Sequence, residues 1–133
     1  MTGYAADKRN FVGAQVTPIR QVGRTITMPP ETAADLRAAA TLMRQRGQCW
    51  DTYEDDDGHV CSRGALLLAI TGDPHPVHRT RERTPAEQTR IRNAEQAYRV
   101  ANGWSTVKWH DEHEGLPQAC LAAMERAAEG VVQ

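Results

Sequence analysis

A chain of 133 residues with sixteen Lys and Arg, seventeen Asp and Glu and a formal charge of −1 is one domain by size, long enough for a hydrophobic core without metal or disulfide staples. The near-neutral balance, with a sequence pI of about 6.5, excludes a global field that would draw the protein to nucleic acid or to an anionic membrane. Cys49, Cys61 and Cys120 are an odd number of widely spaced cysteines, which fits reduced thiols. With no signal-peptide core in Met1–Lys8 and no long apolar segment, the expected compartment is the cytoplasm and no membrane contact is expected.

Residues 1–13 are polar and read as a loosely ordered arm. From Ala14 to Met28 the character changes: Val16 and Ile19 precede a turn at Gln21–Arg24, and Thr25–Met28 mixes β-branched residues with others. This pattern predicts a small hairpin with Pro18 confining its first strand to an edge. The predicted organisation is an N-terminal arm and hairpin over residues 1–31 and a helical domain over 32–133.

Helix one is predicted from Thr32, whose hydroxyl precedes Asp35 by three positions, with Leu36, Ala39, Ala40 and Met43 on one face and Gly47 as its stop. Residues 48–53 carry no regular pattern; Trp50 and Tyr53 are expected over the central element. That element is the run His59–Ile70, the most apolar in the chain. The flanking turns at Asp55–Gly58 and Thr71–Pro74 favour a short buried helix from Cys61 or Ser62, with a parallel-sheet strand as the alternative. Residues 72–83 read as an exposed loop. Thr84-Pro85-Ala86-Glu87 then combines a capping hydroxyl, proline at the first helical position and glutamate at the third, and opens a helix with Ile91, Ala94, Tyr98 and Ala101 inward and a stop at Asn102-Gly103. Trp104–Trp109 is either one helical turn capped by Ser105 or a short extended piece. The last helix runs from Leu116 or Pro117 to Glu129, burying Leu116, Cys120, Leu121, Met124, Ala127 and Ala128. The predicted fold is mainly α, a small four-helix domain with an N-terminal β-hairpin.

Arg46-Gly47, Trp50, Asp57-Gly58, Cys61 with Gly64-Ala65-Leu66, and Trp109-His110-Asp111 ahead of a Leu/Ala helix together resemble a domain-of-unknown-function family found in actinobacteria and their phages. The resemblance spans roughly residues 33–129 and implies no activity. In that family the first tryptophan directly follows the glycine, whereas Gln48 and Cys49 intervene here, and asparagine is usual where this chain has His110.

Three constellations could carry chemistry. Cys61 at a helix N-terminus with His110 and Asp111 would suit a cysteine-dependent hydrolase or transferase, the helix lowering the thiol pKa and the histidine acting as base. Against this, adjacent residues such as His110 and Asp111 do not point at each other. Cys49, His59, Cys61, His110 and His113 would suit a small zinc-stabilised protein, although His59-Val60-Cys61 is tighter than the usual ligand pair. Arg79, Arg81, Arg83, Arg90 and Arg92 could meet phosphate in a nucleic-acid-binding accessory protein, but Glu82 and Glu87 interrupt the tract and no stacking aromatic accompanies it. All three thiols are expected to be reduced, Cys61 and Cys120 buried and slow, Cys49 faster.

The reading preferred over these is a non-enzymatic protein-binding domain acting as a regulator, inhibitor or accessory subunit, without catalytic residues, metal or cofactor. Its partner is another protein of host or phage, contacted through Val16, Ile19, Arg20, Arg24 and Ile26 of the hairpin. A homo-oligomer is compatible with such an edge.

Overall fold

Five helices and one pair of very short strands make up the described chain; the computed structural model describes residues 27–132. Strand β1 is Thr27–Met28. Helices α1 to α5 span Pro30–Arg46, Ser62–Thr71, Pro85–Asn102, Thr106–Glu112 and Pro117–Ala128, and strand β2 is Val131–Val132. The fold is mainly α, as the sequence predicts, with α4 as a fifth, short helix beside the four long ones. No helix among the described residues is long and apolar enough to cross a membrane.

Helix α1 begins at Pro30, two residues before Thr32, and Thr32 does not cap it. The tandem prolines decide the start: Pro29 is driven to extended backbone by the proline after it, and Pro30 arrives with its φ already helical. The Pro29 carbonyl then accepts the amides of Thr32 at 3.0 Å and Ala33 at 3.3 Å. Asp35 is therefore no capping acid. It is 5% exposed and accepts two hydrogen bonds from Arg90 of α3, from Nη2 at 2.8 Å and from Nε at 3.1 Å, a bidentate geometry that locks the two helices in register.

The capping box of α3 forms as its sequence predicts: Thr84 Oγ1 accepts the Glu87 amide at 3.1 Å and Glu87 Oε1 accepts the Thr84 amide at 2.9 Å. The Trp104–Trp109 stretch resolves to the helical alternative, with Ser105 Oγ accepting the Lys108 amide at 3.2 Å and the helix running on to Glu112. Helix α5 starts at Pro117 and ends at Ala128. Leu116, expected in its buried stripe, is 54% exposed.

Helix α2 occupies the centre. Ala65, Leu66 and Leu67 have no exposed surface, Ile70 is nearly covered, and α1, α3, α4 and α5 all pack against it. Buried alanines on α1 and on α5 let those two helices approach closely along their length.

Of the expected hairpin, Thr27 and Met28 lie among the described residues. Thr27 and Met28 pair in parallel with Val131 and Val132 from the far end of the chain, and Met28, 2% exposed, joins the hydrophobic core. Residues 14–26, including Val16, Ile19, Arg20, Arg24 and Ile26, lie outside the described residues.

Candidate functional site

Three of the residues singled out for chemistry, Cys49, Cys61 and His110, meet where the loop 47–61 lies over the N-terminus of α2. The loop is folded on itself by backbone bonds around the fully buried Val60, whose amide donates to Gly47 O at 3.1 Å and whose carbonyl accepts the Cys49 amide at 3.2 Å. Cys61 N donates to Tyr53 O at 3.3 Å. That same carbonyl comes down on Gly64, which has no side chain to hold it off.

Cys61 is the N-cap of α2, its Sγ accepting the Gly64 amide at 3.3 Å. The helix N-terminus does not win at this thiol. Burial pushes its pKa up, and the amides of Gly64 and Arg63 only partly oppose that.

His110, 2% exposed on α4, does not serve Cys61 either. Its Nδ1 accepts from Ser62 Oγ at 2.8 Å, and its Nε2 reaches the Cys49 carbonyl at 2.8 Å. A carbonyl only accepts, so the ring proton is assigned to Nε2; the Ser62 amide, 3.4 Å from Nδ1, only donates, so Nδ1 is bare and the ring is neutral. The Trp50 ring stacks on His110 with centroids 4.7 Å apart and an interplanar angle of 19°, and Trp50 Nε1 donates to the His110 carbonyl at 2.9 Å. Asp111 is exposed on the next position of the helix. The Cys61–His110–Asp111 arrangement is therefore not formed. His110 instead ties the loop, α2 and α4 together through Ser62, Cys49 and Trp50, and Ser62, with no exposed surface, is out of reach of any substrate.

A buried neutral histidine makes stability depend on pH. Desolvation lowers the pKa of His110 in the folded state, whereas the unfolded chain titrates near 6.5. Below that value the unfolded state takes up a proton that the folded state refuses, so stability is full above about pH 6.5 and falls on acidification toward the folded pKa. We expect the wild-type protein to lose more stability between pH 8 and pH 5, measured by urea unfolding, than His110→Gln. Parallel losses would show that His110 is not kept neutral.

The five zinc candidates are not gathered as a ligand set. Cys49 Sγ donates to His59 O at 3.2 Å and to Thr52 O at 3.5 Å, and burial raises its pKa to about 11. His59 Nδ1 is paired with Asp55 Oδ2 at 2.8 Å, both nitrogens of His110 are engaged, and His113 Nδ1 meets the Trp109 carbonyl at 2.6 Å with its ring stacked on Trp109. Among the described residues the one clustering of three ligand-type groups is Asp55, Asp57 and His59, whose ligand atoms lie within 4.8 Å. There Asp55 Oδ1 accepts the amides of Asp57 and His59, the geometry of an aspartate closing a turn.

The thiols follow the same logic. Cys49 is more buried than Cys61, opposite to the expectation that it would react faster. Burial pushes Cys49 and Cys120 each up to about 11, against a free thiol near 8.5, a difference that leaves roughly 300-fold less thiolate at neutral pH. Native-state labelling should be slow at all three positions and rapid only in denaturant. A fast Cys61 signal titrating well below the free-thiol value would restore the nucleophile.

The basic tract is spent on internal pairing. Arg79 Nε donates to Asp73 at 2.8 Å, Arg81 forks onto both oxygens of Glu87 at 2.8 Å, Arg90 holds Asp35, and Arg83 and Arg92 reach Gln88 and Thr89. Arg79, Arg81 and Arg90 are thus each paired with a carboxylate, Arg90 across to α1, while Arg83 and Arg92 make only long contacts of 3.4 and 3.5 Å.

The model of a family of unknown function, DUF6197, matches residues 27–130, from the first residue of β1 to the residue before β2. The chain belongs to this family. No curated protein and no solved structure matches it. The DUF6197 match thus covers the helical body and β1 and leaves residues 1–26 outside.

Several residues that hold this DUF6197 domain together escape sequence reasoning. Asp73 is 4% exposed. Although burial works against its charge, bonds from the Arg79 side chain and from the amides of His75 and Arg79 keep its carboxyl well below the usual range. Its Asp-Pro position marked a turn, but nothing local marked the burial. Glu95 accepts from Arg63 and from Thr106 Oγ1, joining α2, α3 and α4. Glu54 accepts from Arg46 at 3.0 Å and lies near His75 and Arg79. Arg63 and Glu95 are 32 positions apart, and the Asp73–Arg79 and Arg46–Glu54 pairs, six and eight apart, follow no helix or strand period.

Proposed function

We propose that the protein is a non-enzymatic protein-binding domain, a regulator, inhibitor or accessory subunit working in the cytoplasm of an actinobacterium or under phage control. The observation that carries this reading is the exposed apolar surface around α4. Trp104, Val107 and Leu116 are 39%, 43% and 54% exposed, and the Trp104 ring lies 6.0 Å from Trp109 and 6.4 Å from His113. Single exposed apolar residues are ordinary, whereas here Val107 lies on α4, Trp104 just before it and Leu116 in the turn after it, an aromatic and aliphatic mix of the kind partner surfaces use. The catalytic and metal readings, by contrast, would need side chains that are engaged inside the fold. The N-terminal residues Val16, Ile19, Arg20, Arg24 and Ile26 supply a second contact in this proposal.

The test is affinity capture by the full chain from its native host, followed by titration of the captured partner. Trp104→Ser with Val107→Ser should weaken binding at least ~30-fold, the scale of a lost aromatic hot spot, at an unchanged melting temperature. Val16→Asp with Ile19→Asp examines the arm in the same way. Unchanged affinity in both variants, capture of nucleic acid that releases with salt, or a turnover abolished by Cys61→Ser would each overturn the reading.

A further inference from the structure

The surface around α4 is unbalanced in charge as well as apolar. Its cations are already engaged: Lys108 lies 3.9 Å from Glu112 and 5.0 Å over the Trp104 ring. Arg126, 5.6 Å over the Trp109 ring, donates to Asn102 Oδ1 at 2.9 Å. Asp111 and Glu114, by contrast, are exposed and form no ion pair with another described residue. We propose, on the footing that α4 is a partner surface, that its occupant is a basic amphipathic helix of another protein. Apolar side chains three and four positions apart on that helix would cover Trp104, Val107 and Leu116, with Lys or Arg beside them facing Asp111 and Glu114.

The order of groups along the chain sets this pattern. Trp104 stands two positions before α4, Val107 and Asp111 are one helical turn apart on its outer face, and Glu114 and Leu116 follow in the turn before α5. Thr106 and His110 of the same helix are buried, so apolar group and carboxylate lie side by side on the face that remains. Over residues 104–116, Asp111, Glu112 and Glu114 stand against Lys108 alone, a net −2. Such a rim attracts Lys and Arg and repels phosphate, which disfavours a nucleic acid or an anionic membrane as the occupant.

The helical form of the occupant follows from the backbone. A helix uses its own amides and carbonyls, so α4 offers an incoming chain side chains and no unpaired edge. An extended segment laid across it would bury N–H and C=O groups without partners, whereas a second helix satisfies its own and packs its ridges against those of α4.

The test selects binders to the full chain from a displayed library of randomised linear peptides. Enriched sequences are then titrated as synthetic peptides against the parent, Trp104→Ser with Val107→Ser, and Asp111→Asn with Glu114→Gln. Glu82→Gln is the control, exposed at the opposite end of α3 from Trp104. The enriched peptides should carry Lys and Arg in excess over Asp and Glu and gain helical circular dichroism on binding. Removing the Asp111 and Glu114 charges should weaken them at least ~10-fold, a loss that shrinks at high salt, while Glu82→Gln binds as the parent does. Peptides that need Trp104 and Val107 but are neutral or acidic, ignore Asp111 and Glu114, or bind without becoming helical would overturn the basic helix and leave α4 as a partner surface. Peptides indifferent to Trp104 and Val107, or no enrichment at all, would overturn both.

Discussion

Gly64→Ala should be the most damaging single-methyl change in the protein, costing upwards of about 3 kcal/mol. A Cβ built on Gly64 falls 2.2 Å from the Tyr53 carbonyl oxygen and 3.1 Å from its carbon, well inside contact distance. The obstacle is backbone, and it cannot swing aside as a side chain would. Tyr53 O accepts the Cys61 amide, and the chain on either side is held by Asp55 N to His59 O at 3.0 Å and by the two Val60 bonds. Relief would require lifting the whole loop from α2, breaking the Cys61 bond and loosening Cys49 from His110. Gly72→Ala is the control: its φ of 83° is also unfavourable for alanine, but nothing lies within 4 Å of the added carbon, so it should cost only ~1–2 kcal/mol. Urea midpoints compare the two directly. If Gly64→Ala were no worse than Gly72→Ala, the loop would not be pinned as described.

The contrast between these glycines shows what the sequence could carry. Local rules work where the cause is local: Thr84 and Glu87 cap α3 because hydroxyl, proline and carboxylate lie within one turn, and Gly72 and Gly103 stop their helices in the left-handed conformation. They misplace the start of α1, where a Thr-x-x-Asp pattern competes with two prolines whose backbone preferences are stronger. They fail where the determining partner is remote. Cys61 at a helix N-terminus reads as an activated thiol until burial is known, and His110 reads as its base until Ser62, one position further along, is seen to take the hydrogen bond. Asp35 reads as a cap until Arg90 appears, 55 positions later. The site was thus legible as a neighbourhood, since Cys49, Trp50, Cys61 and His110 do meet, but its bonding was not. Glycine 64 was visible only as part of a motif, because close approach of a carbonyl leaves no periodicity.

Leu66→Ala and Leu67→Ala should each cost roughly 2–5 kcal/mol, while Leu68→Ala costs clearly less. In a helix that is buried along one stripe, three consecutive leucines could not all face the core, because successive side chains are turned by about 100°. Here Leu66 and Leu67 both have no exposed surface, and Ile70 is 6% exposed, while Leu68 is only partly covered. Two adjacent positions are sealed because α2 is surrounded by the other four helices, so its covered arc is wider than that of a surface helix. Truncating either sealed leucine leaves a cavity that several packed elements would have to close together, and their ion pairs, Asp35 with Arg90 and Arg63 with Glu95, resist that adjustment. The expected result is a lower urea midpoint with an unchanged slope for both variants, since the same surface is exposed on unfolding. Losses within about 0.5 kcal/mol of the parent for Leu66 and Leu67, the range of ordinary surface substitutions, would mean that α2 is not the central element.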